Sequence, residues 1–193
     1  MPMQGRFLIA VLAVLLAGPG AAPVFGAPLD EIGGPFTLTD RFGETRSDRD
    51  FRGRFMLIFF GYANCQSICP VGLHRMTAAL DRLSEQEQSR IQPILITVDR
   101  QYDTPEALAL AMPKIHPRLL GLTGTAKQLR KAYRAFQIEF KQVLQTAGGK
   151  PILAHGSFIY LMRPDGKFAT LILPVMDEEK IAAILRRYLS RES

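Results

Sequence analysis

The chain has no tryptophan, only two cysteines and only three histidines among 193 residues. Two cysteines are too few for a small disulfide-stapled fold, and alone they cannot complete a structural zinc site. Cys65 and Cys69 stand four positions apart, so a disulfide between them closes a very short loop and contributes little through chain entropy. Their value is chemical. Blocks of like charge are missing too. The net charge is +6, but Arg41, Arg46, Arg90, Arg118, Lys131 and Lys167 are spread along the chain, and aromatics do not interleave with the arginines. That argues against nucleic acid as a partner. A mildly basic surface suits an acidic protein or an anionic membrane face. There are no internal repeats and no low-complexity stretch. Hydrophobic residues at 47% against charged residues at 22% make a globular balance.

Long apolar runs are scarce as well. Arg6 precedes Phe7 to Ala17, a run of 11 residues that Gly18, Pro19 and Gly20 break. That length is a signal-peptide h-region and short for a bilayer span. Val24-Phe25-Gly26 offers cleavage before Ala27. No charged residue occurs from Phe7 to Leu29, so an uncleaved membrane anchor is the other reading. Both send the remainder, residues 27–193, out of the cytoplasm, to the periplasm or to the periplasmic side of the inner membrane. No cysteine is present here to carry a lipid. Roughly 165 residues then remain, the size of one domain.

Within those residues strands and helices alternate. Phe36-Thr37-Leu38-Thr39 alternates and is followed by Asp40-Arg41-Phe42-Gly43, which predicts a small β-hairpin. Phe55 to Phe60 is a continuous apolar run, a central buried strand. Pro70 suits the first turn of a helix, and Leu73, Met76, Ala79, Leu80 and Leu83 recur at helical spacing. Pro93 to Val98 is a second buried strand. Asp103-Thr104-Pro105-Glu106 predicts a helix start, with Asp103 as the carboxylate cap. Leu119 to Leu122 is a short strand. Thr125 with Gln128 forms a capping box and opens a helix to about Ile138. Ser157 to Met162 and Phe168 to Leu173 are strands joined by a tight Pro164-Asp165-Gly166 turn. Asp177 opens a last helix ending in Arg186 and Arg187, on the favourable side of its dipole. The expected fold class is α/β: a thioredoxin-like fold with a central mixed β-sheet flanked by helices and an N-terminal β-hairpin.

The cysteines fall between a buried strand and a helix N-terminus. Cys69 belongs to the first turn and Cys65 to the loop before it. Residues four apart approach each other on one helical face, so the sulfurs can form a disulfide or hold one ion. Unpaired N–H groups and the positive end of the helix dipole favour thiolate, which is both nucleophile and metal ligand. Two soft thiolates with one imidazole suit copper, Cu(I) above all. Of the histidines, His74 is nine residues past Cys65 and faces away from the pair by helix geometry. His116 precedes Pro117 and reads as a surface-loop residue. His155 precedes the strand from Ser157, and in a thioredoxin arrangement the chain entering that strand faces the cysteine helix. Asp99 ends a strand at the same edge. It either orients His155, contacts a partner, or is a solvent-facing loop carboxylate.

The segment Phe59-Phe60-Gly61-Tyr62-Ala63-Asn64-Cys65-Gln66-Ser67-Ile68-Cys69-Pro70 resembles the active segment of the SCO/SenC family. So do Ile96-Thr97-Val98-Asp99, Asp103-Thr104-Pro105, Gly121-Leu122-Thr123-Gly124-Thr125 and the stretch from His155 to Lys167. The resemblance covers about residues 33–190. It implies a thioredoxin-like fold that binds copper through Cys65, Cys69 and His155. It also implies a role in assembling the dinuclear copper centre of cytochrome c oxidase, with the copper-accepting subunit of that oxidase or another copper protein as partner. Some members reduce disulfides of that centre, and in that case Cys65 and Cys69 are the redox-active pair of a thiol–disulfide oxidoreductase. The chain departs from the family pattern at Gln66-Ser67, where Pro-Asp is usual. It departs again at Arg100 and Tyr102, where Pro and Arg are usual, and at Ala154, where an acidic residue is common. A peroxidase is disfavoured, because Tyr62 and Gln66 stand where it would need Thr or Ser.

Overall fold

The computed structural model describes residues 31–63, 68–145, 151–155 and 158–192, with the side chains of 68–70, 140–145 and 151–155 left out of the description. The chain enters through a hairpin of β1 (Thr37–Asp40) and β2 (Thr45–Ser47), paired antiparallel with Leu38 opposite Arg46. Gly43 at φ 83° makes the turn, a conformation that costs glycine nothing. Arg46 Nε donates to the buried Asp40 carboxylate at 2.7 Å, and the Phe42 and Glu44 N–H groups donate to the same side chain. One satisfied charge thereby braces the short hairpin, beside the fully buried Leu38 of β1.

The apolar run forms β3 (Phe55–Gly61), buried along its whole length. It lies between β4 (Ile91–Thr97), parallel to it, and β8 (Ile159–Met162), antiparallel to it. The full seven-stranded order is β2-β1-β5-β4-β3-β8-β9, with β5 at Leu120–Thr123 and β9 at Phe168–Ile172. Alternation sends neighbouring side chains of β3 to opposite faces. Phe59 lies under α1 (Ile68–Asp81), where a Cβ on Gly72 would come within 2.7 Å of its ring. Phe60 packs on the other face against Tyr133 and Phe136, with ring centroids 6.3 and 5.3 Å away. Both faces are covered, so the strand reads as unbroken apolar sequence. Each of these buried rings contributes roughly 1.5–3 kcal/mol.

Helices complete the layers. α1 follows β3, α2 (Glu85–Ser89) leads into β4, and α3 (Pro105–Ile115) crosses to β5. α4 (Ala126–Ala135) starts with Thr125 and Gln128 in reciprocal hydrogen bonds, the expected capping box. It ends three residues before the expected Ile138, because Gln137 takes a φ of 54° and breaks the helical path. α5 (Glu178–Leu189) is capped by Asp177 and tied to α1 by Glu178 with Arg75 and Arg82. The Asp165-Gly166 turn closes β8 to β9, with Arg163 N–H donating to Lys167 O at 2.8 Å. This mixed sheet with helices on both faces and an N-terminal hairpin is the expected thioredoxin-like fold. The short α2 was not expected, and neither was the next pair of strands. β6 (Phe140–Gln145) and β7 (Pro151–His155) form a separate two-stranded antiparallel sheet between α4 and β8.

Candidate metal centre

Three chain segments converge at the end of the sheet where β3 and β4 finish. β3 ends at Gly61, opposite Thr97 of β4. The chain then passes Tyr62 and Ala63 and re-enters described structure at Ile68, the start of α1. Cys65 lies outside the described residues. Cys69 is the second residue of α1, in the first turn as expected, where backbone N–H groups have no intrahelical acceptor.

His155 lies a few residues before β8 in the chain. It is the last residue of β7, its backbone paired with Phe140, not a loop residue as its sequence context suggested. Four positions later Ile159 pairs with Phe59. That stretch spans at most about 14 Å even if extended. The β3–β8 register therefore brings the end of β7 to the sheet edge from which the cysteine segment leaves. Among the described residues no three His, Cys, Asp or Glu side chains gather as a rival metal site.

A buried polar tie braces this edge. Asp103 is fully buried, and its Oδ2 accepts from Ala63 N–H at 3.0 Å and from the Thr97 hydroxyl at 2.7 Å. The same hydroxyl accepts from Asp99 N–H at 2.9 Å. Burial pushes the Asp103 carboxyl above the usual carboxylate range, the two hydrogen bonds pull it back, and the Asp99 charge adds to the rise. Its Oδ1 has no hydrogen-bond partner among the described residues. Tyr133 donates its hydroxyl to Thr97 O at 2.6 Å. Burial raises that phenol, and the charges of Asp103 and Asp99 raise it further.

These contacts correct two expectations. Thr104, not Asp103, caps α3, accepting from Ala107 N–H. Asp-Thr-Pro supplies two residues able to cap, and only one can occupy the cap position. The surplus Asp103 turns inward to the cysteine segment, and that redundancy was the signal in the sequence. Asp99 is 7% exposed, so it is not a solvent-facing loop carboxylate. His116 also differs from expectation. It is buried at the end of α3, with Nε2 3.1 Å from Asp81 and Nδ1 accepting from Arg118 N–H. Both ring nitrogens are occupied structurally. His74 is exposed on α1, as expected.

Residues 26–190 match the sequence model of the family described as SCO1/SenC. The chain belongs to the SCO1/SenC family. It is 35% identical over 158 residues to Protein SCO2 homolog, mitochondrial, of Bos taurus, covering 81% of this chain and 59% of that protein. The chain thus spans less than two thirds of that relative's length. Among solved structures it resembles Bradyrhizobium japonicum ScoI with copper bound, at 34% identity and a TM-score of 0.74, covering 81% of this chain and 99% of that one. It also resembles yeast Sco1 with copper bound, at 31% identity and a TM-score of 0.75, covering 82% and 88%.

In this SCO1/SenC chain the same sheet edge carries exposed apolar side chains. Phe158 and Leu173 flank the Ile159–Ile172 pair, and a Cβ on Gly72 would lie 3.1 Å from Pro174. Val71, Phe158, Leu173 and Val175 are all exposed there. Exposed apolar side chains grouped in this way suit contact with another protein.

Proposed function

We propose that this chain is an exported copper-binding protein that supports assembly of the dinuclear copper centre of cytochrome c oxidase. Copper is its cargo, held by Cys65, Cys69 and His155. What supports the reading is the β3–β8 register, which keeps the end of β7 within about 14 Å of Ile159, the partner of Phe59 near the end of β3 from which the cysteine segment leaves. Membership of the SCO1/SenC family and the likeness to two copper-bound Sco structures support it. Two thiolates at a helix N-terminus make a soft donor pair, and an imidazole adds a borderline third donor. The recipient is a copper-accepting subunit of the oxidase or another copper protein, met at the apolar edge formed by Val71, Phe158, Leu173 and Val175. Residues 1–26 act as signal peptide or membrane anchor and place the domain in the periplasm or on the periplasmic side of the inner membrane.

The test is competition titration of the reduced protein with a coloured Cu(I) chelator. One copper ion should bind per chain. Cys65→Ser and Cys69→Ser should weaken binding most, because each replaces a soft ligand with a hard, protonated one. His155→Ala should weaken Cu(I) less, since two thiolates hold that ion alone, and Cu(II) more. His74→Ala and His116→Ala should leave both affinities unchanged. Oxidation of the pair to a disulfide should release the metal. Full affinity in the disulfide form would overturn the assignment. Catalytic turnover of a disulfide substrate without copper retention would instead make the pair the centre of a thiol–disulfide oxidoreductase.

A further inference from the structure

At the opposite end of the sheet, where β3, β4 and β5 begin, a cavity of about 290 Å³ is lined by Arg41, Arg46, Arg54 and Arg118 with Asp50 and Gln92. The strand register builds it. Arg54 precedes β3, Gln92 is the second residue of β4, and Arg118 stands two residues before β5. Arg41 joins them because β1 runs antiparallel to β5, with Asp40 opposite Leu122. Four cations from distant parts of the sequence are thereby brought to one hollow, each half-buried.

Their partners neutralise only one of them. Arg46 is paired with Asp40. Arg54 Nη1 donates to the neutral Gln92 Oε1 at 3.2 Å. Arg118 Nη2 donates to the carbonyls of Gln88 and Ile91 at 2.6 and 2.7 Å. Arg41 Nη1 reaches only the Leu119 carbonyl, at 3.5 Å. Its Nε is buried with no hydrogen-bond partner among the described residues. Asp50 is the one carboxylate in the lining, and its Oδ2 already accepts from Ser47 N–H at 2.6 Å. Arg41, Arg54 and Arg118 therefore have no carboxylate ion pair among the described residues. Burial, and then the neighbouring Arg54 cation, push the Arg118 guanidinium below its ordinary value.

Half-buried guanidinia close enough to repel are costly unless an anion joins them. A planar fork of N–H donors is the side chain best matched to phosphate oxygens. We infer that this arginine-lined cavity is a binding site for a phosphate-bearing ligand, distinct from the copper end of the molecule. Arg41 and Arg54 supply the free donors. Arg118, tied to two carbonyls, supplies a fixed positive wall. The ligand's phosphate comes either from a soluble molecule or from the headgroup of an anionic lipid, and the surface meets both by the same contacts.

The experiment uses the full chain, titrated calorimetrically with inorganic pyrophosphate. It also measures sedimentation with phosphatidylcholine vesicles with and without phosphatidylglycerol. Saturable pyrophosphate binding should weaken at least about tenfold when Arg41→Gln and Arg54→Gln are combined. Arg130→Gln, an equal charge loss per site on the exposed face of α4, should leave it unchanged. Arg54→Lys should retain part of the binding, since charge remains while the fork is lost. Circular dichroism and the thermal midpoint establish that each variant is folded. Phosphatidylglycerol-dependent sedimentation that the double variant loses and pyrophosphate competes assigns the lipid source. Pyrophosphate binding without it assigns a soluble ligand. Equal weakening by Arg130→Gln, or no saturable binding of either probe, would overturn the inference. Copper stoichiometry should be the same in all these variants, which keeps this test independent of the metal assignment.

Discussion

Asp103 is the residue whose removal separates the account above from a generic one. Asp103→Ala deletes the acceptor of two hydrogen bonds, from Ala63 N–H and from the Thr97 hydroxyl. Hydrogen bonds to a charged group contribute about 1.5–3 kcal/mol each. Against this stands the desolvation of a fully buried carboxylate, which raises its pKa and which the substitution relieves. The net expected loss is about 2–4 kcal/mol. Asp103→Asn keeps the size and an acceptor oxygen while removing the charge, so it should cost under about 1 kcal/mol near neutral pH. Urea unfolding of the three proteins at pH 7 measures both. The pH dependence carries a sign. A carboxyl raised in the folded state holds a proton that the unfolded chain has already released, so its contribution to stability falls as pH rises from the ordinary carboxylate range through the raised value. Wild type should therefore gain on Asp103→Asn as the pH is lowered through that window. An Asn variant as unstable as the Ala variant, or a difference moving the other way with pH, would refute the reasoning.

Other expectations follow from single contacts. Gly72→Ala places a Cβ 2.7 Å from the Phe59 ring and 3.1 Å from Pro174, and should cost about 1–3 kcal/mol by overpacking, read as a lowered thermal midpoint. Glu178 is held down at about 2 by its own backbone N–H and by Arg82 and Arg75. Its support of the α1–α5 contact should be present above the ordinary carboxylate range and lost as pH falls toward 2, so the stability gap to Glu178→Gln should close there. Reduced Cys65 and Cys69 should react with a thiol probe at lower pH than a free model thiol, and identical profiles for both would remove the helix-dipole argument. A chain beginning at Ala27 should fold and stay soluble, and aggregation confined to the shortened chain would make residues 1–26 part of the core.

The legible parts of the fold were those in which one residue type has one outcome. The unbroken run Phe55 to Phe60 has no polar face to turn to water, so a doubly covered strand was its only placement. Thr125 with Gln128 and Asp177 ahead of an amphipathic stretch marked helix starts in the same way. The β6–β7 hairpin escaped because its register shifts between Gln142 and Leu144. That shift breaks the period-2 pattern by which a strand is recognised. His116 was read as a surface residue because a histidine before proline belongs to a turn. Its burial depends on Asp81 from α1 and on the Arg118 backbone, and neither contact has a local signature. Of the candidate ligands, the position of Cys69 in a first helical turn was legible from Pro70 and the spacing that follows. That His155 ends a strand was not, because that strand belongs to a hairpin that the pattern hides.

Why the proposed centre would need this fold, rather than a loop bearing the same residues, comes down to who fixes whom. The cysteine segment and the histidine strand are separated by nearly half of the chain, and neither holds the other in place through local structure. β3 does so for both. Its C-terminal end launches the cysteine segment, and Phe59 on the same strand pairs with Ile159 just after the histidine. β4 adds the third constraint through Thr97 and Asp103, which hold Ala63 two residues before Cys65. A one-residue slip between β3 and β8 would exchange the faces of every side chain on β8, all four of which are buried in the present register. The register is therefore enforced by the core, with Phe59 and Phe60 locked against opposite layers, and the end of the sheet that launches the cysteine segment inherits that enforcement. On the proposed assignment, a site positioned from outside in this way gains or loses its ion while the sheet beneath it stays as it is.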